Sequence, residues 1–324
     1  MQILITGGAG FIGANLVRAC EARDHQITVL DDLSTGYESN LVGTNAHFVR
    51  GSITDPEAID TAIAGADAVV HLAARGSVPR SIDDPIATHH VNATGTLNVL
   101  DAARRSGGPQ VIMASSSSVY GANPELPKRE AAATRPMSPY AASKLAGEGY
   151  LLAYGRSYAM PTLAFRFFNV FGRFQTAGHA YAAVIPAFID AALRGKPLVV
   201  HGDGTQSRDF THVDTVCAAI TGALEARTTS PDPINLAFGS RTSLHEVIEV
   251  LSAQLNECLL IEHIEDRVGD VAHSQADSSS LHQLFPNLVP IDFCEGLIDT
   301  IRWMRTQVAD SSLNRSTATG LVLS

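Results

Sequence analysis

The stretch Gln2–Gly13, QILITGGAGFIG, constrains the fold of this chain more than any other. Ile3, Leu4 and Ile5 form an apolar run with no polar alternation. Such a run reads as a strand buried on both faces, as in a parallel sheet. It leads straight into Gly7, Gly8, Gly10 and Gly13, of which Gly7, Gly10 and Gly13 keep a GxxGxxG spacing. Glycines so placed permit a tight turn, let backbone approach a pyrophosphate, and let the following helix sit close to the strand. From Ala14 on, NLVRACEAR has helical composition, so its first N–H groups would point at phosphate.

A second apolar strand, Ile27–Leu30, ends in Asp31, eighteen positions after Gly13. An acid at that strand end can accept from both ribose hydroxyls and repels a 2′-phosphate. The pattern therefore reads as a site for NAD rather than NADP. The plainer alternative is a tight strand–helix turn beside a solvated acid.

Strand and helix patterns go on alternating. His47–Val49 is a third strand, ending in Gly51-Ser52-Ile53 where adenine would lie. Ala68–Leu72 is a fourth, ending in His71-Leu72-Ala73-Ala74, small enough to let a cofactor pass. Helical segments around Pro85–Ser106 contain Asn92. Val111–Ala114 is a fifth strand, followed by the serine run Ser115–Ser118 and a Pro-rich loop, Asn123–Pro139. A helix is expected from Tyr140 to Tyr154, and another buried strand at Thr162–Phe167. The fold class is α/β: a Rossmann-type doubly wound parallel sheet with a smaller interleaved α/β substrate lobe. Residues 1–170, with a returning segment at 205–228, form the NAD-binding domain. Residues 171–204 and 229–305 form the substrate lobe, and 306–324, small and polar, a flexible tail.

The chain has 324 residues and a net charge of -10. That balance argues against nucleic acid or an anionic membrane as partner. It also means that local arginines must hold any anionic substrate. Cys20, Cys217, Cys258 and Cys294 are scattered, with no CxxC, which suits reduced thiols in a cytoplasmic protein. The chain opens on a strand, so no signal peptide is expected, and no apolar run reaches membrane-spanning length. There are 12 histidines but no HExxH, and no metal is expected.

Tyr140 and Lys144 lie four apart, on one helical face. A YxxxK pair by itself is common. Here it opens the helix after the fifth strand, at the ligand-binding edge of a parallel sheet. A nearby ammonium would favour the phenolate and make Tyr140 a base, and a serine hydroxyl could relay its proton.

TGGAGFIG, HLAA, SSSSVYG, SPYAASK, RFFNVFG and GDGTQSRDF, in that order, resemble the extended short-chain dehydrogenase/reductase family. Within it the chain resembles the NAD-dependent nucleotide-sugar epimerases of the UDP-galactose and UDP-glucuronate 4-epimerase type. The resemblance runs from Met1 to about Trp303. It implies that Gly7, Gly10, Phe11, Ile12 and Gly13 hold the dinucleotide and that Asp31 binds the adenosine ribose. It places Ser52 and Ile53 at adenine, where relatives often carry an acid in place of Ser52. It adds Leu72, Ala73, Ala74 and Asn92 to the cofactor site. Tyr140 would be the base, Lys144 would hold the nicotinamide ribose and depress the tyrosine pKa, and Ser116 would be the hydroxyl partner. Ser77, Ser116, Ser117, Ser118, Asn169, Arg208, Arg267, Asp270 and Ser274 would meet the UDP-sugar. The family resemblance also implies a homodimer, built on helices near Pro85–Ser106 and Tyr140–Tyr154.

Related 4,6-dehydratases and uronate decarboxylases carry acids just after the catalytic hydroxyl. Here those positions are Ser117 and Ser118, which favours plain 4-epimerisation. Three hydroxyls at Ser116–Ser118 resemble epimerases that accept uronic acids, so UDP-glucuronate/UDP-galacturonate is the leading pair. The serines could equally shape a backbone turn. GSVPRSIDDP (Gly76–Pro85), AYAAVIP (Ala180–Pro186) and a small Ser274 resemble the N-acetylhexosamine subgroup, although Gly178-His179 departs from it. UDP-GlcNAc/GalNAc therefore stands second and UDP-glucose/galactose third. A non-catalytic dinucleotide sensor would lack the Tyr and Lys. An ordinary dehydrogenase would accumulate NADH.

Overall fold

The computed structural model describes residues 1–177, 183–265 and 271–319, those from 309 onward as helical backbone only. Seven strands build the main sheet: β1 Gln2–Thr6, β2 Gln26–Asp31, β3 His47–Arg50, β4 Ala68–His71, β5 Gln110–Ser116, β6 Thr162–Phe167 and, far along the chain, Ile234–Leu236. All neighbours run parallel, in the order β3-β2-β1-β4-β5-β6 with Ile234–Leu236 at the end. The order reverses between β1 and β4, which opens a crevice at the carboxyl ends of those two strands.

The unbroken apolar run at the start of the chain is explained by two helical layers. Ile3 and Ile5 pack with Leu16 and Val17 of α1 (Phe11–Glu21) and with Val216 and Ile220 of a later helix, Val213–Glu225. Leu4 faces the other way, against Ile59 of α2 (Pro56–Ile63), Val99 and Leu151. Each such side chain taken from water contributes roughly 1.5–3 kcal/mol. The second layer continues with α3 (Val78–Asp83), α4 (Pro85–His89), α5 (Gly95–Arg105) and α6 (Pro139–Tyr158). A π-turn, His90–Thr94, joins α4 to α5. Ser138 caps α6 by accepting from the Ala141 N–H at 3.1 Å, and Pro139 follows at the first helical position. That cap sets Tyr140 in the first turn of the helix.

The smaller lobe has its own core, formed by Phe171, Phe188, Ile189, Val200, Phe210, Val247 and Leu297. Its helices are Val184–Leu193, Leu244–Leu255 and the last helix, Phe293–Thr319. The last helix carries residues 306–319, expected as a flexible tail, in helical form. The lobe boundary also differs from the expected one. Ile234–Leu236 pairs with Phe165–Phe167 of β6, and Leu281 packs into the core shared with Ile3 and Ile5. Both lie within 229–305, expected wholly in the substrate lobe. A three-residue strand is too short to declare itself by periodicity.

Side chains stitch the lobes together. Asn15 of α1 donates to the Arg173 carbonyl at 2.9 Å. Arg173 reaches Asp214 at 2.8 Å and Asp299 at 3.4 Å, with His212 between the two carboxylates. Asp209 is fully buried and accepts from the Gly239 N–H, the Ala276 N–H and the Ser240 hydroxyl, at 2.9, 3.0 and 2.9 Å. One carboxylate thus gathers three separate strands of chain.

Among the described residues no helix is long and apolar enough to cross a membrane. The four cysteines are unpaired, Cys20 and Cys217 being buried.

Candidate active site

A groove of about 520 Å³ follows the crevice beside β1. Gly7, Gly10, Phe11, Ile12, Gly13, Asp31, Ser52, Ile53, Leu72, Ala73 and Ala74, all expected at a cofactor, line it together. Gly7 turns the chain at φ +73°, and a Cβ there would lie 2.7 Å from the Ala73 nitrogen. A Cβ on Gly13 would lie 2.2 Å from the Gly7 carbonyl oxygen. Backbone blocks both, so nothing can move aside. Asp31 accepts from the Ala9 and Leu33 N–H groups, both at 2.9 Å. Burial pushes its carboxyl above the ordinary range, and those two N–H groups pull it back. A narrow glycine turn, an acid at the end of β2 and small residues at the end of β4 fit an extended dinucleotide. Arg75 and Arg80 also line the groove. Sequence reasoning did not place Arg80 there.

Asn92, expected at the cofactor, is bonded to the groove-lining residue Arg75. It is not among the groove-lining residues. Its carboxamide accepts from the Arg75 N–H at 2.7 Å and donates to Ser143 at 3.0 Å, and Ser143 donates to the Tyr140 carbonyl at 2.8 Å. The π-turn aims this side chain inward, and it ties the groove wall to the helix that carries Tyr140. Ser77 is likewise a cap: its hydroxyl accepts from the Arg80 N–H at 3.2 Å, with its backbone held at φ +148°.

Beside Asn92 lies a buried histidine that the sequence offered only as part of HLAA. His71 Nδ1 is 2.7 Å from the Thr6 hydroxyl and Nε2 is 2.9 Å from that of Thr96. Thr96 donates to the Asn92 carbonyl at 2.6 Å, so it must accept from Nε2–H, and Thr6 donates to Nδ1. The ring is neutral: burial, assisted by Lys144, lowers its pKa to about 3.

Tyr140 and Lys144 lie one turn apart on α6, which packs on β5, the strand that ends at Ser116. The Tyr140 phenol lies near enough to the Ser116 hydroxyl for that group to draw its pKa down. Ser118 donates to the Ser116 oxygen twice, from its N–H at 3.2 Å and its hydroxyl at 2.9 Å. Ser116 therefore has its own proton to offer Tyr140. The serine run is in part a turn device, because Ser116 caps the short helix Ser117–Tyr120, and the Ser118 hydroxyl faces Ser116. The expected lowering of the tyrosine pKa by Lys144 does not appear. Burial raises the phenol above its ordinary value, and only the Ser116 bond opposes it. Lys144 is itself buried, and burial brings its pKa down to about 8, with Glu148 acting in the other direction.

A second pocket, about 400 Å³, opens in the smaller lobe. Asn169, Phe171, Gln175, Ala183, Phe188, His201, Gln206, Arg208 and Phe210 line it. Arg208 is steadied by the carbonyls of Ser207 and Ala272 at 3.0 and 3.1 Å. Ser274 is buried, and its N–H donates to the Ser207 carbonyl at 3.0 Å, behind Arg208 rather than on the pocket wall. Arg267 and Asp270 lie outside the described residues, as do Gly178 and His179.

Residues 3–237 match the model of the NAD dependent epimerase/dehydratase family. A putative UDP-glucose 4-epimerase of Methanocaldococcus jannaschii is 33% identical over 94% of this chain and 98% of its own. A dTDP-glucose 4,6-dehydratase of Streptomyces niveus is 32% identical over 94% and 93%. The solved UDP-N-acetylglucosamine 4-epimerase of Methanobrevibacter ruminantium superposes with a TM-score of 0.89 at 36% identity, over 94% of this chain and 98% of that one. With its glycine groove, Asp31 and the Tyr140–Lys144 pair, the chain belongs to the NAD dependent epimerase/dehydratase family, and it is an NAD-dependent enzyme acting on nucleotide sugars.

Proposed function

We propose that this enzyme epimerises UDP-sugars at C4. The observation that carries the reading is the pairing of Tyr140 with Ser116 at the carboxyl end of the parallel sheet, one helical turn from Lys144, with serine at positions 117 and 118. Elimination of water from the sugar needs an acid beside the catalytic hydroxyl, and here hydroxyls stand there. Tyr140 takes the proton of the sugar 4-hydroxyl, relayed or steadied by Ser116. Lys144, while protonated, holds the nicotinamide ribose through its ammonium donors. Bound NAD supplies a hydride acceptor at C4 and a hydride donor to the opposite face, so none is used up. Arg208 and Asn169 grip the diphosphate end in the second pocket, a planar fork being suited to phosphate oxygens.

For the sugar, UDP-N-acetylhexosamine is the leading reading. The Ser118 hydroxyl turns to Ser116, which removes one of three donors from the case for a C6 carboxylate. The Gly76–Pro85 segment, by its resemblance to the N-acetylhexosamine subgroup, favours an acetamido sugar. UDP-glucuronate is the second reading, favoured by Arg75 and Arg80 on the groove wall. Purified enzyme is incubated separately with UDP-GlcNAc, UDP-glucuronate and UDP-glucose, and C4 epimers are resolved by NMR, with mass spectrometry for loss of water. Conversion of UDP-GlcNAc to its C4 epimer at unchanged mass is the expected result. A dehydrated product would overturn epimerisation, and turnover of UDP-glucuronate alone would reverse the order of the sugars.

A homodimer belongs to the same reading. Ile86 on α4, 79% exposed, and the exposed Tyr150 on α6 lie on the helices expected to pair. Light scattering should give twice the chain mass.

A further inference from the structure

Behind the catalytic residues, out of reach of either pocket, lies a fully buried ion pair. Arg166 of β6 grips Glu148 of α6 as a fork, Nε at 2.9 Å and a terminal nitrogen at 2.6 Å. The two side chains are 4% and 3% exposed. Glu148 also accepts from the Ser115 hydroxyl at 2.6 Å, and the Arg166 guanidinium lies 4.8 Å over the Tyr120 ring while donating to the Glu130 carbonyl. Burying two charges costs several kcal/mol each, and well-packed apolar residues often do as well or better for stability. A pair kept under those terms invites a reason beyond stability.

Its neighbours suggest one. Glu148 is one helical turn beyond Lys144, on the same face of α6. Ser115, which it holds, immediately precedes Ser116. We propose that Glu148 is a positioning residue for the reaction: anchored by Arg166, its carboxylate keeps Lys144 a cation and fixes the strand end from which Ser116 meets Tyr140. This rests on the reading of Tyr140 and Lys144 as the proton-transfer pair.

The other groups around Lys144 leave this task to Glu148. Tyr140 on the same helix and His71 on β4 are both neutral in their buried settings. From β5 come Ser115 and Ser116, from the π-turn Asn92, and from β6 Arg166, whose charge faces Glu148. On α3, α4 and α5, Asp83, His89, Arg104 and Arg105 are exposed, Asp84 meets Arg75 at 3.1 Å, and Asp101 meets Arg104 at 2.9 Å. Burial lowers the affinity of Lys144 for its proton, and Glu148 opposes that effect.

The test is the pH profile of kcat in NAD-loaded enzyme, for Glu148→Gln, Glu148→Asp and the double variant Glu148→Gln/Arg166→Met. The double variant removes both members of the pair, so that Arg166 is not left as an orphaned charge, and guards against a misfolded Glu148→Gln; thermal scans confirm folding. In Glu148→Gln the alkaline limb should move to lower pH by about one unit, a tenfold loss above the parent limb. The double variant should shift the same way but less. Glu148→Asp, which keeps the charge, should hold the parent limb while turning over more slowly. Folded Gln variants whose limb stays at the parental pH would reduce the pair to scaffolding and overturn the proposal. Failure of the underlying reading would show separately, as Tyr140→Phe enzyme that remains active.

Discussion

The cofactor groove and the substrate pocket are built on different terms. The groove is a backbone device: Gly7, Gly13 and Ala73 approach so closely that the main chain itself is the wall. The pocket is a side-chain device: Arg208, Asn169, Phe210, Gln206 and His201 converge from separate strands and loops. Backbone walls tolerate no graded change, whereas side-chain walls can be retuned one residue at a time. A single fold can therefore keep its cofactor while varying its sugar.

The sharpest way to probe the contrast is where the two regions meet. Tyr140→Phe should lower kcat by about a thousandfold while the enzyme still retains NAD, measured by absorbance of the denatured supernatant. Next, Gly13→Ala should weaken NAD binding by about a hundredfold, since a methyl against the Gly7 carbonyl costs on the order of 1–3 kcal/mol. Isothermal titration would read it, and undiminished binding would break the claim that the wall is rigid. In the pocket the expected loss is smaller. Arg208→Lys keeps the charge but not the fork, and should raise KM for the UDP-sugar about tenfold with little change in kcat. Stability should show a still milder trend. The folded pKa of His71 is about 3 against an ordinary 6.5. Between those values the unfolded chain binds a proton that the fold refuses, so stability falls as pH drops through that window. Tm measured across it should fall less steeply in His71→Asn than in the parent. Smallest of all is Gly222→Ala, on a helix where a Cβ meets nothing within 4 Å; it should raise stability by about 0.5–1 kcal/mol.

This contrast also explains what could be read from the sequence. Gln2–Gly13 and Asp31 announced the groove because backbone constraints fall on adjacent residues. Tyr140 and Lys144 were legible because a helix places i and i+4 together. Asn169 and Arg208 were reached only through resemblance, for no spacing joins residues that meet by tertiary folding. The bonds of Asn92 to Arg75 and Ser143 were not legible, since no periodicity announces a π-turn. The Glu148–Arg166 pair escaped notice because each residue alone looks like an ordinary surface charge. The serine run was ambiguous, and the Ser118–Ser116 bond resolves part of it in favour of a turn.

Asp209 carries a last consequence. Its buried carboxylate ties the strand bearing Arg208 to the chain at Gly239, Ser240 and Ala276. A chimaera that exchanged the C-terminal third for that of a cousin would have to bring two matching N–H groups and a hydroxyl to that one anion. Missing any of them strands a charge in the dry interior. Grafting whole modules is therefore a poor route to new sugars on this scaffold, and diversification by single replacements around the knot is the easier one.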